Sequence, residues 1–210
     1  FRVYLEGNLS EDMQVNIQTL ANVYDYPEND CLRIRNLRIR ALNVDAAVIY
    51  VDGATDGVAV ERTIMKPLLE IDAQYAAEQP EERISVIKHQ LLPSLSVKVS
   101  ESFQELNDAL LHGNTVLLIP LTAKAIIIDT PGFEFRSVDT PQIEQVLRGP
   151  KEAFIESSDV NRSLIRKYIK DHNLRCEKIK FGKSKQSTLL LMYMSHIADD
   201  RLVNRVKKRI

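Results

Sequence analysis

Tryptophan is absent from this sequence, and aromatic residues make up only 6% of its 210 positions. Stacking platforms for bases or sugar rings are correspondingly scarce. Cysteine is nearly absent: Cys31 and Cys176 stand far apart, with no Cys-x-x-Cys partner and no metal-ligand spacing. Two such thiols suit a reducing compartment and burial as small apolar side chains. There is no excess of either charge, with 28 Lys and Arg against 29 Asp and Glu. A general nucleic-acid binder is excluded on that ground, because neutralising phosphates takes a basic surplus. Nor is there an apolar run of about 18 residues or more, so the chain as given does not cross a bilayer as a helix. It starts at Phe1 rather than Met and closes on a basic helix with no evident cap, and we read it as a piece of a longer protein.

Catalytic signatures are missing as well. Gly182-Lys183-Ser184 ends like a phosphate-binding loop, but Glu177 stands where that loop needs glycine, and the segment lies between two strands. His89, His112, His172 and His196 are scattered, with no partner at triad or metal spacing. The acid pairs Glu81-Glu82 and Asp199-Asp200 fall at helix starts, where the helix dipole accounts for them. The expectation is a non-enzyme with no catalytic residue, metal or cofactor.

What is present is a chain of alternating helices and strands. Ser10 is placed to cap a helix to about Tyr24, with Met13, Ile17, Leu20 and Ala21 on one face. Leu32 to Arg40 alternates apolar and basic residues, a half-buried strand or two short ones with an arginine row outside. The run Ala46 to Val51 is continuously apolar and predicts a strand covered on both sides. Asp56 opens a helix whose Pro67 predicts a kink or break near Lys66. A further helix carries Ile84, Ile87 and Leu91 and ends at Pro93. Ser102 and Glu105 fit a capping box ahead of Phe103, Leu106 and Leu110. Thr115–Leu121 and Ala125–Asp129 predict a hairpin, Phe133–Arg136 a third strand, and Gln142–Leu147 a helical turn. Beyond residue 150, Val160, Leu164, Ile165, Tyr168 and Ile169 form a helical apolar stripe flanked by Arg162, Arg166, Lys167 and Lys170. Two strands separated by a turn at 182–184 follow, and Asp199 is placed to cap the last helix.

An internal echo organises these elements. Tyr50, Asp56, Val60 and Arg62 match Tyr193, Asp199, Val203 and Arg205 in one register. Two related helix-strand-strand-helix units are implied, too few for a solenoid. The fold class expected is α/β (α+β), with two small mixed-sheet lobes and a cleft between them. Residues 1–75 with 150–210 are expected to form the first lobe, 93–149 the second, and 76–92 a connecting helix, the alternative being a continuous split at the Gly149-Pro150 corner. A cleft between lobes is a common seat for a ligand.

The stretch from Glu144 to Arg166 is the densest in chemistry. Gly149-Pro150 is a rigid corner, since glycine permits positive φ and proline fixes it near −65°. Arg148, Lys151, Asn161 and Arg166 offer donors around it, and Glu152 and Glu156 offer acceptors. Two readings stand side by side: an interdomain turn with a salt network, or a hinge bearing a site for a zwitterionic or polar small molecule. Five basic residues between Arg201 and Arg209 suit either a dipole-favoured surface helix or the cytoplasmic flank of a membrane span.

The block Arg148-Gly149-Pro150-Lys151-Glu152-Ala153-Phe154, then Glu156, Asn161 and Leu164-Ile165-Arg166, resembles the signature of the A subunits of spore germinant receptors, the GerA family. The resemblance covers the whole chain, weakly before about Asn43 and strongly from there through Gly182 and Tyr193 to the closing helix Leu202–Ile210. It implies the soluble N-terminal portion of such a subunit, ahead of a multi-spanning membrane domain. It further implies nutrient sensing (amino acid or sugar), a membrane B subunit and a lipoprotein C subunit as partners, and no nucleic acid. The implied place is the spore inner membrane, with this portion on the cytoplasmic side. Alternatives are a structural assembly module for receptor subunits with no ligand of its own, or a solute-binding protein.

Overall fold

The computed structural model describes residues 5–72, 74–93, 95–130, 153–182 and 187–210. The expected third strand at 133–136, the helical turn at 142–147 and the Gly149-Pro150 corner lie outside the described residues, as do Lys183 and Ser184.

Among the described residues, seven strands and six helices make an α/β architecture with two sheets, each antiparallel throughout. The strands are β1 (Leu32–Ile39), β2 (Val44–Val51), β3 (Val97–Ser100), β4 (Thr115–Leu118), β5 (Ala125–Ile128), β6 (Leu174–Phe181) and β7 (Ser187–Met194). The helices are α1 (Met13–Val23), α2 (57–70), α3 (80–91), α4 (Phe103–Leu111), α5 (Ser158–Tyr168) and α6 (Asp200–Arg209).

The larger sheet has the order β1-β2-β4-β5-β3. It takes β3, β4 and β5 from the expected second lobe and bonds them directly to the first, with β2 paired to β4 from Ala47↔Leu118 to Ile49↔Val116. Side chains alternate between two cores, as strand geometry demands. Ala47, Ile49 and Val51 of β2 meet α1 and α4 in one cluster, with Leu20, Val23, Phe103, Leu106 and Leu110. Ala46, Val48 and Tyr50 meet α2 and α3 in the other, with Val60, Ile64, Leu68, Ile84 and Ile87. Helices cover both faces, which is why Ala46–Val51 of β2, Val116–Leu118 of β4 and all of β5 read as unbroken apolar runs.

Three local expectations are corrected. Asp12, not Ser10, caps α1, its carboxylate accepting from the Gln14 N–H at 2.8 Å, while Ser10 is held by Asn16. No capping box forms at α4: the Ser102 side chain makes no cap bond, and Glu105 pairs with Lys98. Pro67 does not break α2. The helix widens into a π-helical stretch, Glu61–Met65, immediately before it, which absorbs the missing proline N–H.

The second sheet, β6 with β7, belongs to a repeat of the first unit. Helices α1 and α5 are both 11 residues long, offset by 145 positions. In each, an asparagine of the first turns clasps the backbone six residues upstream with both ends of its amide. Asn16 accepts from the Ser10 N–H at 2.8 Å and donates to its carbonyl at 2.7 Å, and Asn161 does the same to Ile155 at 2.8 and 2.7 Å. The hairpins share their register, from Leu32↔Val51 to Ile39↔Val44 and from Leu174↔Met194 to Phe181↔Ser187. Past each hairpin the same bond recurs, Asp52 N–H to the Cys31 carbonyl and Ser195 N–H to the Asn173 carbonyl. Asp56 and Asp199 then cap the following helices.

Candidate functional site

Backbone polarity joins the two repeats. Asn29, 1% exposed, lies just ahead of β1, and its Oδ1 accepts from the N–H groups of both Cys31 and Cys176 at 3.2 Å. Its Nδ2 donates to the Tyr24 carbonyl at 3.0 Å. Asp30 extends the junction, donating its N–H to the Cys176 carbonyl and accepting from the Lys178 N–H, each at 2.8 Å. The two thiols, which the sequence separates by more than half its length, are therefore both buried at this junction. The neighbouring Cys176 holds the Cys31 thiol well below its ordinary range, with Arg166 and Arg162 adding to the effect against burial. Cys31 and burial push Cys176 up.

Around the thiols stand three arginines, Arg162 and Arg166 one turn apart on α5 and Arg175 on β6, only 4%, 2% and 4% exposed. Arg162 donates to Asp52 Oδ1 at 2.9 Å, at the head of the β2–α2 turn, and pairs with Asp159 at 3.1 Å. Asp52 is shared with Arg33, also at 2.9 Å. Gly53 makes room for this: its φ is +91°, and a Cβ there would stand 3.1 Å from Arg162 Nε. Arg166 donates to the Leu174 carbonyl at 2.7 Å. Arg175 pairs with Asp25 and donates to the His172 carbonyl, and burial lowers its pKa. Tyr24 closes the floor, its hydroxyl donating to Asn107 Oδ1 at 3.0 Å and its ring edge-on to His172.

The buried face of α5 is thus Arg162, Ser163, Leu164 and Arg166, while Tyr168 and Ile169 of the expected apolar stripe are exposed. Of the sequence-derived candidates, Arg148, Gly149, Pro150, Lys151 and Glu152 lie outside the described residues. Glu156 is exposed, and Asn161 commits its amide to Ile155. Arg166 sits at the centre of the junction. Sequence reasoning missed Asn29, Asp52, Gly53 and Arg175, and left Arg162 on the flank. Aligning α1 with α5 on their asparagines would have found the arginines, because Arg162 then falls on Ile17 and Arg166 on Ala21, both core-facing in the first repeat.

Two open grooves lie elsewhere. One of about 400 Å³ is bordered by Glu11, Asp12, Asp45 and Leu121, and one of about 490 Å³ by Arg38, Arg40, Asn43 and Gln74. Neither touches a candidate residue. At the far end of the second repeat, Glu177 accepts from the Tyr193 hydroxyl at 2.6 Å and pairs with Lys207, tying α6 to its sheet. Burial and that hydrogen bond push Tyr193 up to about 12.

Residues 18–210 match the family described as Bacillus/Clostridium GerA spore germination protein. The chain belongs to the GerA family. This GerA-family chain is 34% identical over 178 residues to spore germination protein KA of Bacillus subtilis (strain 168), covering 84% of the chain and 32% of that protein. It is 30% identical over 207 residues to spore germination protein GerLA of Bacillus cereus, covering 98% of the chain and 40% of that protein. The chain therefore spans only about a third to two-fifths of the length of these relatives. Its fold matches the crystal structure of the N-terminal domain of the A subunit of the Bacillus megaterium spore germinant receptor GerK3, with a TM-score of 0.70 at 20% identity over 97% of this chain and 72% of that one. The family match starts at residue 18, within the stretch ahead of Asn43 where the resemblance in the sequence is weak. Among the described residues, no helix is long and apolar enough to cross a membrane.

Proposed function

We propose that this chain is the N-terminal domain of a spore germinant receptor A subunit and takes part in the nutrient sensing (amino acid or sugar) that triggers germination. The observation carrying this reading is the family match across 18–210 together with a fold shared over 97% of the chain with the GerK3 A-subunit domain. In the full protein the domain sits on the cytoplasmic side of the spore inner membrane, beside a membrane B subunit and a lipoprotein C subunit. Its working part is the junction between repeats. A change of angle there is carried by α5 and β6 to the β6–β7 sheet, and through the Glu177–Lys207 pair to α6. Arg148, Lys151, Glu152, Glu156, Asn161 and Arg166 are ligand- or interface-binding residues in this reading, and Gly149-Pro150 is a hinge.

A second reading, an assembly module without a ligand, draws support from the exposed apolar side chains of the second repeat: Phe154 is 65% exposed, Ile197 73% and Leu202 55%. Spores carrying Asp52→Asn or Arg162→Ala in the full-length protein separate the two. A weakened nutrient response at unchanged receptor abundance supports signalling through the junction. Loss of abundance supports assembly. A normal response at normal abundance from both variants overturns the signalling reading.

A further inference from the structure

Both cysteines of the chain are closed to solvent, each 0% exposed, and both belong to one core cluster although they come from different repeats. The backbone brings them together. A single oxygen, Oδ1 of Asn29, accepts from both of their N–H groups at 3.2 Å, so the two nitrogens stand no further apart than twice that distance. Their carbonyls are fixed as well, that of Cys31 by the Asp52 N–H at 2.7 Å and that of Cys176 by the Asp30 N–H at 2.8 Å. A disulfide asks for Cα atoms about 4.4–6.8 Å apart, a spacing that two residues hung from one acceptor are placed to meet.

Packing alone does not call for either sulfur. The shared hairpin register sets Cys176 against Ile34 of the first repeat. The bond that follows each hairpin sets Cys31 against Asn173 of the second. Each repeat thus manages without a thiol at the matching place, and sulfur occurs only where the two repeats touch. The surroundings also give the pair different characters. Cys176, and with it Arg166 and Arg162, favours the thiolate of Cys31, which is the nucleophilic form. Cys31 and burial keep the proton on Cys176.

We propose that Cys31 and Cys176 are an oxidisable pair, which a peroxide converts to a disulfide that clamps the second repeat to the first. The Cys31 thiolate attacks one oxygen of hydrogen peroxide and the O–O bond breaks. The departing hydroxide takes the proton that Cys31 gave up and leaves as water. The Cys176 sulfur then attacks the Cys31 sulfenic acid: the S–S bond forms, the S–O bond breaks, and hydroxide leaves with the Cys176 proton as a second water. The two thiols lose two electrons and the peroxide gains them. So small an oxidant suits a pair with no exposed surface, whereas a bulky thiol reagent reaches it only when the repeats part. This goes beyond the sensing reading and does not depend on it, because the bond is measured on the chain itself.

The test treats the reduced 210-residue chain with a small excess of hydrogen peroxide, then unfolds it, alkylates it and maps it by mass spectrometry. A linked Cys31–Cys176 peptide is expected, from a chain that stays monomeric on a non-reducing gel and is restored by dithiothreitol. The bond closes a loop of well over half the chain, so the unfolding midpoint of the linked form should rise by roughly 5–15 °C. Cys176→Ser should stop at the sulfenic acid, trapped on Cys31 by dimedone, and Arg166→Met should slow formation of the bond several-fold. The proposal is overturned if both cysteines are still fully alkylated after peroxide, or if they oxidise past sulfenic acid with no linked peptide. A linked chain that unfolds no later than the reduced one would overturn the clamp.

Discussion

Replacing Arg166 with methionine is expected to make the protein more stable, which is the reverse of the usual outcome for a buried residue. The structure sets the terms. Arg166 is 2% exposed and leaves Nε and Nη1 without partners. Each unpaired buried donor costs about 1–3 kcal/mol, so the two together cost about 2–6 kcal/mol. Methionine removes that burden and loses the charge-assisted bond to the Leu174 carbonyl, which contributes about 1.5–3 kcal/mol. Met is flexible enough to fill the vacated volume, where the first repeat accepts the smaller Ala21. The balance runs from a loss of about 1 to a gain of about 4.5 kcal/mol and centres on a gain of about 2 kcal/mol, in line with other replacements of buried ions by apolar side chains. For a chain of this length a gain of about 2 kcal/mol raises the melting midpoint by roughly 4–8 °C. Urea unfolding followed by circular dichroism, in buffer with chloride as the only anion, measures it. A loss of more than about 1 kcal/mol with an unchanged denaturant slope would show that Arg166 is already fully paired, and the reasoning would fail.

Asn29→Ala strands the buried N–H groups of Cys31 and Cys176 together, and urea unfolding should show a loss of about 2–5 kcal/mol. Gly113→Ala adds a Cβ 2.4 Å from the Ala54 carbonyl oxygen at a φ of +88°. Left-handed backbone alone costs about 1–2 kcal/mol, and with the backbone displacement the same assay should read at least about 3 kcal/mol. Acid should weaken the fold in two stages. Burial chiefly holds His172 below its ordinary 6.5, so the unfolded chain takes up that proton first and stability falls as pH drops below about 6.5 until the folded value is passed. Asp171 is lowered against burial by the Asn173 backbone and side-chain bonds, so its contribution is present above its ordinary 3.8 and lost below it. Melting midpoints from pH 8 to 3 check both, and His172→Gln should flatten the upper stage and leave the lower one in place, reduced by the loss of the His172 charge beside Asp171.

Much of the architecture was legible because the apolar runs are long and the turn residues unambiguous. Ala46–Val51 had to be covered on both sides, and it lies between α1 with α4 and α2 with α3. The match of Tyr50 and Asp56 with Tyr193 and Asp199 located both strand-to-helix turns of the repeat. Its helices were harder to match, since α1 is apolar where α5 carries Arg162 and Arg166, and what they share is length, a side-chain cap (Asp12 and Ser157) and the asparagine clasp. Charged residues beside an apolar stripe ordinarily face water, and that prior turned α5 the wrong way. Leu164 alone anchors its apolar side, with the two arginines beside it in the interior. The sheet order was not legible either, because β4 adding to β2 depends on a pairing about 70 residues apart that no local pattern encodes. The cysteine pair was hidden for the same reason: its partners are joined through Asn29, a residue with no motif around it.

The glycine at the end of α4 has a reach that its position in the chain conceals. Its carbonyl takes the hydroxyls of Thr55 and Thr130, and its bare Cα lets the Ala54 oxygen close against it. One residue before Ala54 lies Gly53, on which the Arg162 side chain rests. Residues 52–55 are therefore held at one end by the second repeat, through Arg162, and at the other by Gly113 at the entrance to β4, so that a side chain added at either glycine presses on the same four residues.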